Sequence, residues 1–342
     1  MSRVTKLILA LTAAVGVAVF AMALQFNRFL NQPIPVAEPE QVFVIEPGTS
    51  FRAIADDLGQ RGIIASPLFF RLYARIDDRA SRVQAGEYGI ETGITPRTLL
   101  DKFVRGDVRL YSFTIVEGWT FRELLDALTA EESIDSEIAY EDAPGILEAL
   151  GAEVDHPEGL FLPETYRFPR GTGGIEVLRQ AYQLMQAALE DEWENRDTSI
   201  PLGSPYEALV LASIVEKETA LASERPRIAG VFARRLEQRM RLQTDPTVIY
   251  GIGEEFDGNL TRRHLRTDTP YNTYTRHGLP PTPIALPGRA AINAAVHPAA
   301  GVEIFFVATG LGDGSHKFSE TKAEHDAAVQ EYLARQRANR TP

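Results

Sequence analysis

The sequence contains no cysteine. Disulfides, thiolate nucleophiles and cysteine-ligated zinc are excluded together. Its six histidines, His156, His264, His277, His297, His316 and His325, form no H-E-x-x-H and no close pair with metal-ligand spacing, so no metal is expected. There is no G-x-S-x-G elbow, and Ser213 to Lys217 places the lysine one position too far for an S-x-x-K nucleophile. The glycines at 251–253 and 310–314 lack the full dinucleotide fingerprint and read as turns, so no cofactor is expected either. Positive charge is outweighed: 35 Lys and Arg stand against 47 Asp and Glu, a formal net charge of −12. That argues against nucleic acid as a partner, which calls for a basic surface.

Long apolar runs are also scarce, with one exception. Leu7 to Leu24 is uncharged throughout. At ~1.5 Å per residue it makes about 27 Å of helix, enough for a bilayer core of ~30 Å. Arg3 and Lys6 precede it, which keeps the short N-terminus cytoplasmic and exports the rest. Ala21-Met22-Ala23 fits a signal-peptide cleavage pattern, but the run length favours an uncleaved anchor. One crossing is the maximum, because no second run is long enough.

What remains is ordinary for a globular chain. It has 342 residues, room for about two domains, and 44% hydrophobic residues. Residues 26–41 carry three prolines and read as a spacer. Short strands and short capped helices follow. Ser50–Asp56, Thr95–Asp101 and Thr120–Asp126 echo one another, each an N-cap residue followed by apolar residues at helical spacing. Thr120 and Glu123 stand in capping-box register. Strand-like runs precede all three: Val42–Ile45, Glu87–Ile90 and Leu110–Val116. They read as small β-α units, either generic or of a glycan-binding kind, with spacing too uneven for a solenoid. Helices are expected over Ile175–Trp193 and Arg225–Arg239, a long ordered loop over Tyr271–Gly288, a strand over Glu303–Ala308 and a terminal helix. The irregular mixture makes the fold class α+β.

One helix is unusual. Ser204, Pro205 and Glu207 mark its start, and a helix over Ser204–Ser223 would carry Glu216 and Glu218 directly after the apolar run Leu209–Val215. At ~100° per residue the two glutamates point nearly opposite ways. Glu218 falls among Leu211, Ile214, Val215, Leu221 and Ala222, whereas Glu216 shares a thinner apolar side with Leu209, Ala212 and Ala220. A carboxyl held against apolar side chains has its pKa raised and becomes a candidate general acid. The competing expectation is an ion pair between Glu218 and an arginine of the 225–239 helix. Gln243–Thr247 can cap a helix through Asp245 and Pro246 or form a polar wall for a sugar. Tyr271–Tyr274 combines aromatic faces with amide and hydroxyl groups, which suits a pyranose ring or simple packing.

Ser213–Thr219 with Ser223–Arg225, Met240–Gly251, Tyr271–Tyr274 and Gly278–Pro281 closely resemble the YceG-like family of endolytic murein transglycosylases. Glu158–Tyr166 and Gly314–Phe318 fit too, so the likeness covers nearly the whole chain. The resemblance implies an anchor over residues 1–25, the spacer at 26–41, a LysM-like β-α module at 42–110 and a larger mixed α+β catalytic domain at 111–342. It implies an inner-membrane enzyme facing the periplasm that cuts nascent peptidoglycan glycan strands between N-acetylmuramic acid and N-acetylglucosamine, leaves 1,6-anhydro ends and limits chain length beside peptidoglycan synthases. It points to Glu218 as the catalytic acid, the same residue singled out by the helical wheel. Glu164, Gln243, Asp245, Tyr271 and Asn272 are the candidates for substrate positioning. The alternative is a non-catalytic glycan-binding scaffold for the synthases. A third reading is a hydrolase with Glu164 or Asp245 activating water.

Overall fold

The computed structural model describes residues 2–36, 40–76 and 78–340; residues 37–39 of the expected spacer lie outside the described residues. The chain divides into two compact units, Met1–Tyr111 with Phe168–Gly171, and Ser112–Arg167 with Thr172–Pro342.

The first unit opens with α1 (Arg3–Asn31), which is long and apolar enough to cross a membrane. Its most apolar stretch is wholly unburied. The helix continues past Leu24 because nothing in Gln25–Asn31 breaks it; Pro33 comes only after its end. Six residues expected to be spacer are therefore helical. Phe29 and Leu30 are buried, and Phe26 and Phe29 meet Phe69 edge-on at 5.6 and 5.8 Å. Then follow β1 (Glu40–Ile45), α2 (Phe51–Gln60), α3 (Pro67–Ile76), β2 (Gly86–Glu91) and α4 (Pro96–Arg105). β1 and β2 pair antiparallel, Val42 opposite Gly89 and Val44 opposite Glu87. The alternation sends Phe43, Ile45, Tyr88 and Ile90 into a core with Ile54, Leu58, Phe70, Leu99 and Phe103. Ser50 and Thr95 cap α2 and α4 through their hydroxyls, as their positions in the sequence predict.

The remaining elements run β3 (Leu110–Thr114), α5 (Phe121–Ala130), β4 (Ile134–Asp135), α6 (Ala143–Leu150), β5 (Thr165–Pro169), β6 (Thr172–Gly173), α7 (Gly174–Glu194), α8 (Pro205–Glu218), α9 (Arg225–Glu237), α10 (Asp245–Ile252), α11 (Arg262–Arg266), α12 (Arg289–Val296), β7 (Phe305–Ala308), β8 (His316–Ser319) and α13 (Lys322–Arg340). β3 pairs with β5, β4 with β6 and β7 with β8. Mixed helix and sheet without βαβ alternation is α+β, as the sequence predicts. The capping box at Thr120 forms in full, with the Glu123 carboxylate accepting from Thr120 N–H at 2.7 Å and the Thr120 hydroxyl accepting from Glu123 N–H at 3.3 Å. At α8 only half of the box forms: Ser204 accepts from Glu207 N–H, but the Glu207 carboxylate turns to Gly203 N–H at 2.6 Å.

α8 is the axis of the second unit. Ala208 to Val215 are all buried, with α7, α9, α10 and α12 packed around the helix. Buried apolar surface on every side fixes it, at roughly 25 cal/mol per Å². It stops at Glu218, short of the expected Ser223. Thr219 is extended (φ −147°, ψ 133°) and its hydroxyl accepts from Leu221 N–H at 3.0 Å. Leu221 and Ala222 therefore do not share a helical face with Glu218.

Candidate active site

The two glutamates at the end of α8 have different surroundings. Glu216 has only 5% of its side chain exposed, and its Oε1 lies 2.9 Å from Arg225, itself 10% exposed. Its Oε2 accepts from Gly288 N–H at 3.0 Å. Arg225 also reaches Glu117 at 3.3 Å, and Lys217 donates to Gly118 O at 3.1 Å. The arginine of α9 thus pairs with Glu216, and this network clamps the last turn of α8 to residues 117–118 and 288.

Glu218 is left to a neutral partner. The Thr244 hydroxyl donates to its Oε1. Burial pushes the Glu218 carboxyl above the ordinary glutamate range; the Thr244 bond works against this, the charge of Asp245 adds to it, and His316 and Arg235 oppose it. Thr244 is held in turn: its N–H donates to Thr273 Oγ1 at 3.1 Å, and its carbonyl accepts from the Thr247 hydroxyl at 2.8 Å. Arg235 fixes the approach to Thr244 by donating to Leu242 O and, at 2.7 Å, to Ile304 O. His316 is oriented by Glu224, which accepts from its backbone N–H at 3.0 Å and lies 2.8 Å from Nδ1.

Two of the five positioning candidates flank this group. Asp245 opens α10, with Thr244 rather than Asp245 at the cap, and its carboxylate accepts from the Tyr274 hydroxyl at 2.6 Å. Gln243 is exposed, has φ +51° and bonds through its N–H to Thr273 O at 3.1 Å. The left-handed backbone there turns the chain so that Thr244 points inward. Asn272 is a scaffold position. It is 1% exposed, and its amide nitrogen donates to Thr267 O at 2.7 Å, His264 O at 3.2 Å and Leu265 O at 3.3 Å. Glu164 joins none of these groups among the described residues; it is exposed and accepts from Thr165 N–H at 2.9 Å.

Tyr271 belongs to a second, adjoining feature, a cavity of about 760 Å³. Tyr140, Tyr250, Tyr271 and Phe256 supply its aromatic lining, with Arg122 and Glu158 among its polar groups. Lys217 and Pro246 also line it, and these are the chain neighbours of Glu218 and Asp245. Glu218 itself is not part of the lining, so the cavity lies beside Glu218 rather than around it. Tyr250 and Tyr271 meet edge-on at 5.0 Å, and the Tyr271 hydroxyl lies 2.9 Å from Thr282 Oγ1. Glu158 is 2% exposed and accepts from Phe121 N–H at 2.9 Å and from the Tyr250 hydroxyl at 3.0 Å. Burial pushes its carboxyl up to about 8. Gly159 follows at φ +81°, where a Cβ would stand 2.5 Å from Pro283 Cβ.

The YceG-like family matches residues 43–331. The chain belongs to this family. It is 29% identical over 330 residues to the endolytic murein transglycosylase of Bacillus subtilis, with 91% of this chain and 90% of that protein covered. It is 26% identical over 344 residues to the endolytic murein transglycosylase of Streptococcus pneumoniae, spanning 90% of this chain but 62% of the longer relative. A crystal structure of a YceG-like protein from Listeria monocytogenes superposes with a TM-score of 0.54 at 27% identity, covering 84% of this chain and 98% of that one.

Residue-by-residue reading placed Thr244 only within the polar stretch Gln243–Thr247, without its bond to Glu218, and did not single out Glu158 and Tyr250. All three lie inside the blocks that carry the family likeness, but a lone threonine or tyrosine has no spacing that betrays its partner. Glu158 had one usable signal, its position directly before a glycine and the apolar run Leu160–Leu162.

Proposed function

We propose that this YceG-like chain is an endolytic peptidoglycan lytic transglycosylase, with Glu218 as its acid and base. One observation carries the reading. Of two glutamates at the end of a buried helix, Glu216 takes the arginine, while Glu218 is held by a neutral hydroxyl with its pKa raised by burial. Thr244 occupies Oε1, which leaves Oε2 for the proton. Protonated Glu218 gives that proton to the glycosidic oxygen as the bond from N-acetylmuramic acid C1 to the N-acetylglucosamine oxygen breaks. The resulting carboxylate takes the proton of the same muramic acid's C6 hydroxyl, whose oxygen closes on C1. The products are a 1,6-anhydro end and a new N-acetylglucosamine terminus, with no water consumed. Acid–base action of this kind contributes ~10²–10⁴ in rate, and positioning and electrostatics supply the rest. Asp245, held by Tyr274, adds negative charge beside the cationic transition state.

In this reading α1 anchors the chain in the inner membrane with both units in the periplasm, next to nascent strands and their synthases. The β1–α2–α3–β2 arrangement supports a LysM-like glycan-holding module. The test is digestion of uncrosslinked glycan strands by the full chain in detergent micelles, wild type beside Glu218→Gln, with products read by mass spectrometry. Anhydro-muramic ends from wild type alone are the expected result. Reducing ends would identify a hydrolase, and strands left intact by both proteins would identify a glycan-binding scaffold.

A further inference from the structure

We propose that the cavity between Tyr140, Tyr250 and Tyr271 is a saccharide subsite for an N-acetylated hexosamine, and that Glu158 is its positioning residue, acting through Tyr250. The inference rests on the transglycosylase reading for the identity of the glycan. Its volume of about 760 Å³ is that of a ligand site, and its aromatic faces suit the apolar faces of pyranose rings. Lys217 and Pro246 place it next to Glu218 along a glycan strand.

Glu158 determines which hydrogens the cavity presents. Its Oε1 is fixed by Phe121 N–H and its Oε2 lies 3.0 Å from the Tyr250 hydroxyl. When Glu158 is ionised, Tyr250 must donate to it. When Glu158 carries a proton, that proton lies in the same contact, the acid donates to the phenol oxygen, and the phenol hydrogen is released toward the cavity. The acceptor on a hexosamine suited to a donor among aromatic walls is the acetamido carbonyl. Burial pushes the Glu158 carboxyl up to about 8, against the hydrogen bonds from Tyr250, Phe121 and Gly159, which favour its charged form. The groups facing it are Glu123, whose charge disfavours ionisation further; Tyr250; Tyr140, on whose phenol the charge of Glu158 acts; His156, whose ring burial holds below its ordinary range; and, in the same lining, Arg122, paired with Glu254 at 2.9 Å, and Lys217.

Glutamine reproduces the protonated acid, with its oxygen accepting from Phe121 and its NH₂ donating to Tyr250, and it cannot ionise. The experiment measures binding of an N-acetylglucosamine tetramer to the full chain in micelles by calorimetry, in a Glu218→Gln background that prevents turnover, across about pH 6.5 to 9.5. With Glu158 present, affinity falls roughly tenfold as pH rises through about 8, the value of one lost hydrogen bond. Glu158→Ala weakens binding by a similar factor at neutral pH. Glu158→Gln rescues it and abolishes the alkaline fall. A flat pH profile with Glu158 present, a folded Glu158→Gln that binds no better than Glu158→Ala, or no tetramer binding at all overturns the subsite. Strand cleavage by the wild type is scored separately. Binding with the expected pH profile but no anhydro product would sink the transglycosylase reading and leave the subsite standing.

Discussion

Arg225 stands 2.9 Å from Glu216, and among the described residues Glu218, two residues on, takes its hydrogen bond from the Thr244 hydroxyl instead. In the proposed mechanism that choice separates a structural carboxylate from a chemical one, and the two substitutions should differ in kind. Glu218→Gln is expected to lower kcat by ~10²–10⁴ with little loss of folded protein. Glu216→Ala removes the closer of the two carboxylates that hold the buried Arg225, leaving Glu117 at 3.3 Å, and should cost up to about 3–5 kcal/mol of stability. Thermal unfolding beside strand-cleavage rates checks both; a Glu218→Gln enzyme that cuts at the wild-type rate removes the proposed acid.

With Glu158 replaced by glutamine, so that its titration at about 8 does not enter, the alkaline limb of kcat/KM should report Glu218, because an acid must carry its proton. The Thr244 hydroxyl favours the carboxylate, so Thr244→Val is expected to move that limb to higher pH. Asp245 favours the protonated form, so Asp245→Asn should move it to lower pH. Opposite displacements from neighbouring residues are hard to produce by general damage. Shifts in the same direction would mean that another group governs the profile.

Stability should also fall as pH rises. Glu158 goes from an ordinary value of 4.5 to about 8 in the folded protein. A raised carboxyl pKa means that its favourable contribution is fully present below the ordinary value and is lost as pH rises to about 8. The span corresponds to a few kcal/mol between mildly acidic and alkaline solution. Glu158→Gln should flatten that part of the curve and raise the melting temperature at alkaline pH. Denaturant unfolding of both proteins at three pH values is the check, and parallel curves would count against the assignment.

Asn272 provides a contrast with the residues proposed to act on substrate. Its amide nitrogen serves the carbonyls of His264, Leu265 and Thr267 from a buried position. Asn272→Ala should cost about 1–3 kcal/mol, with activity lost in proportion to folded fraction. Activity lost at full stability would instead give Asn272 a direct contact with substrate.

α1 should hold the chain in the membrane through an alkaline carbonate wash. Release by that wash would show that the apolar helix does not span.

Local order was legible because its causes are local. Ser50, Thr95 and Thr120 cap their helices because a hydroxyl reaches a backbone N–H three residues on, a distance set by covalent geometry. The apolar run from Leu7 needs no partner to declare its length. The wheel placed Glu216 and Glu218 on different sides of α8 because helical rotation is fixed, although it carried the helix five residues too far, past the extended Thr219. The partners of those glutamates were not legible. Arg225 reaches Glu216 through the angle between α8 and α9, Thr244 reaches Glu218 across 26 residues, and Tyr250 reaches Glu158 across 92. Sequence determined which carboxylates the chain carries and on which faces, whereas only the packed tertiary structure decided which is neutralised by an arginine, which is capped by a hydroxyl and which is desolvated, because charge, burial and hydrogen bonding depend on neighbours that the chain brings together only by folding.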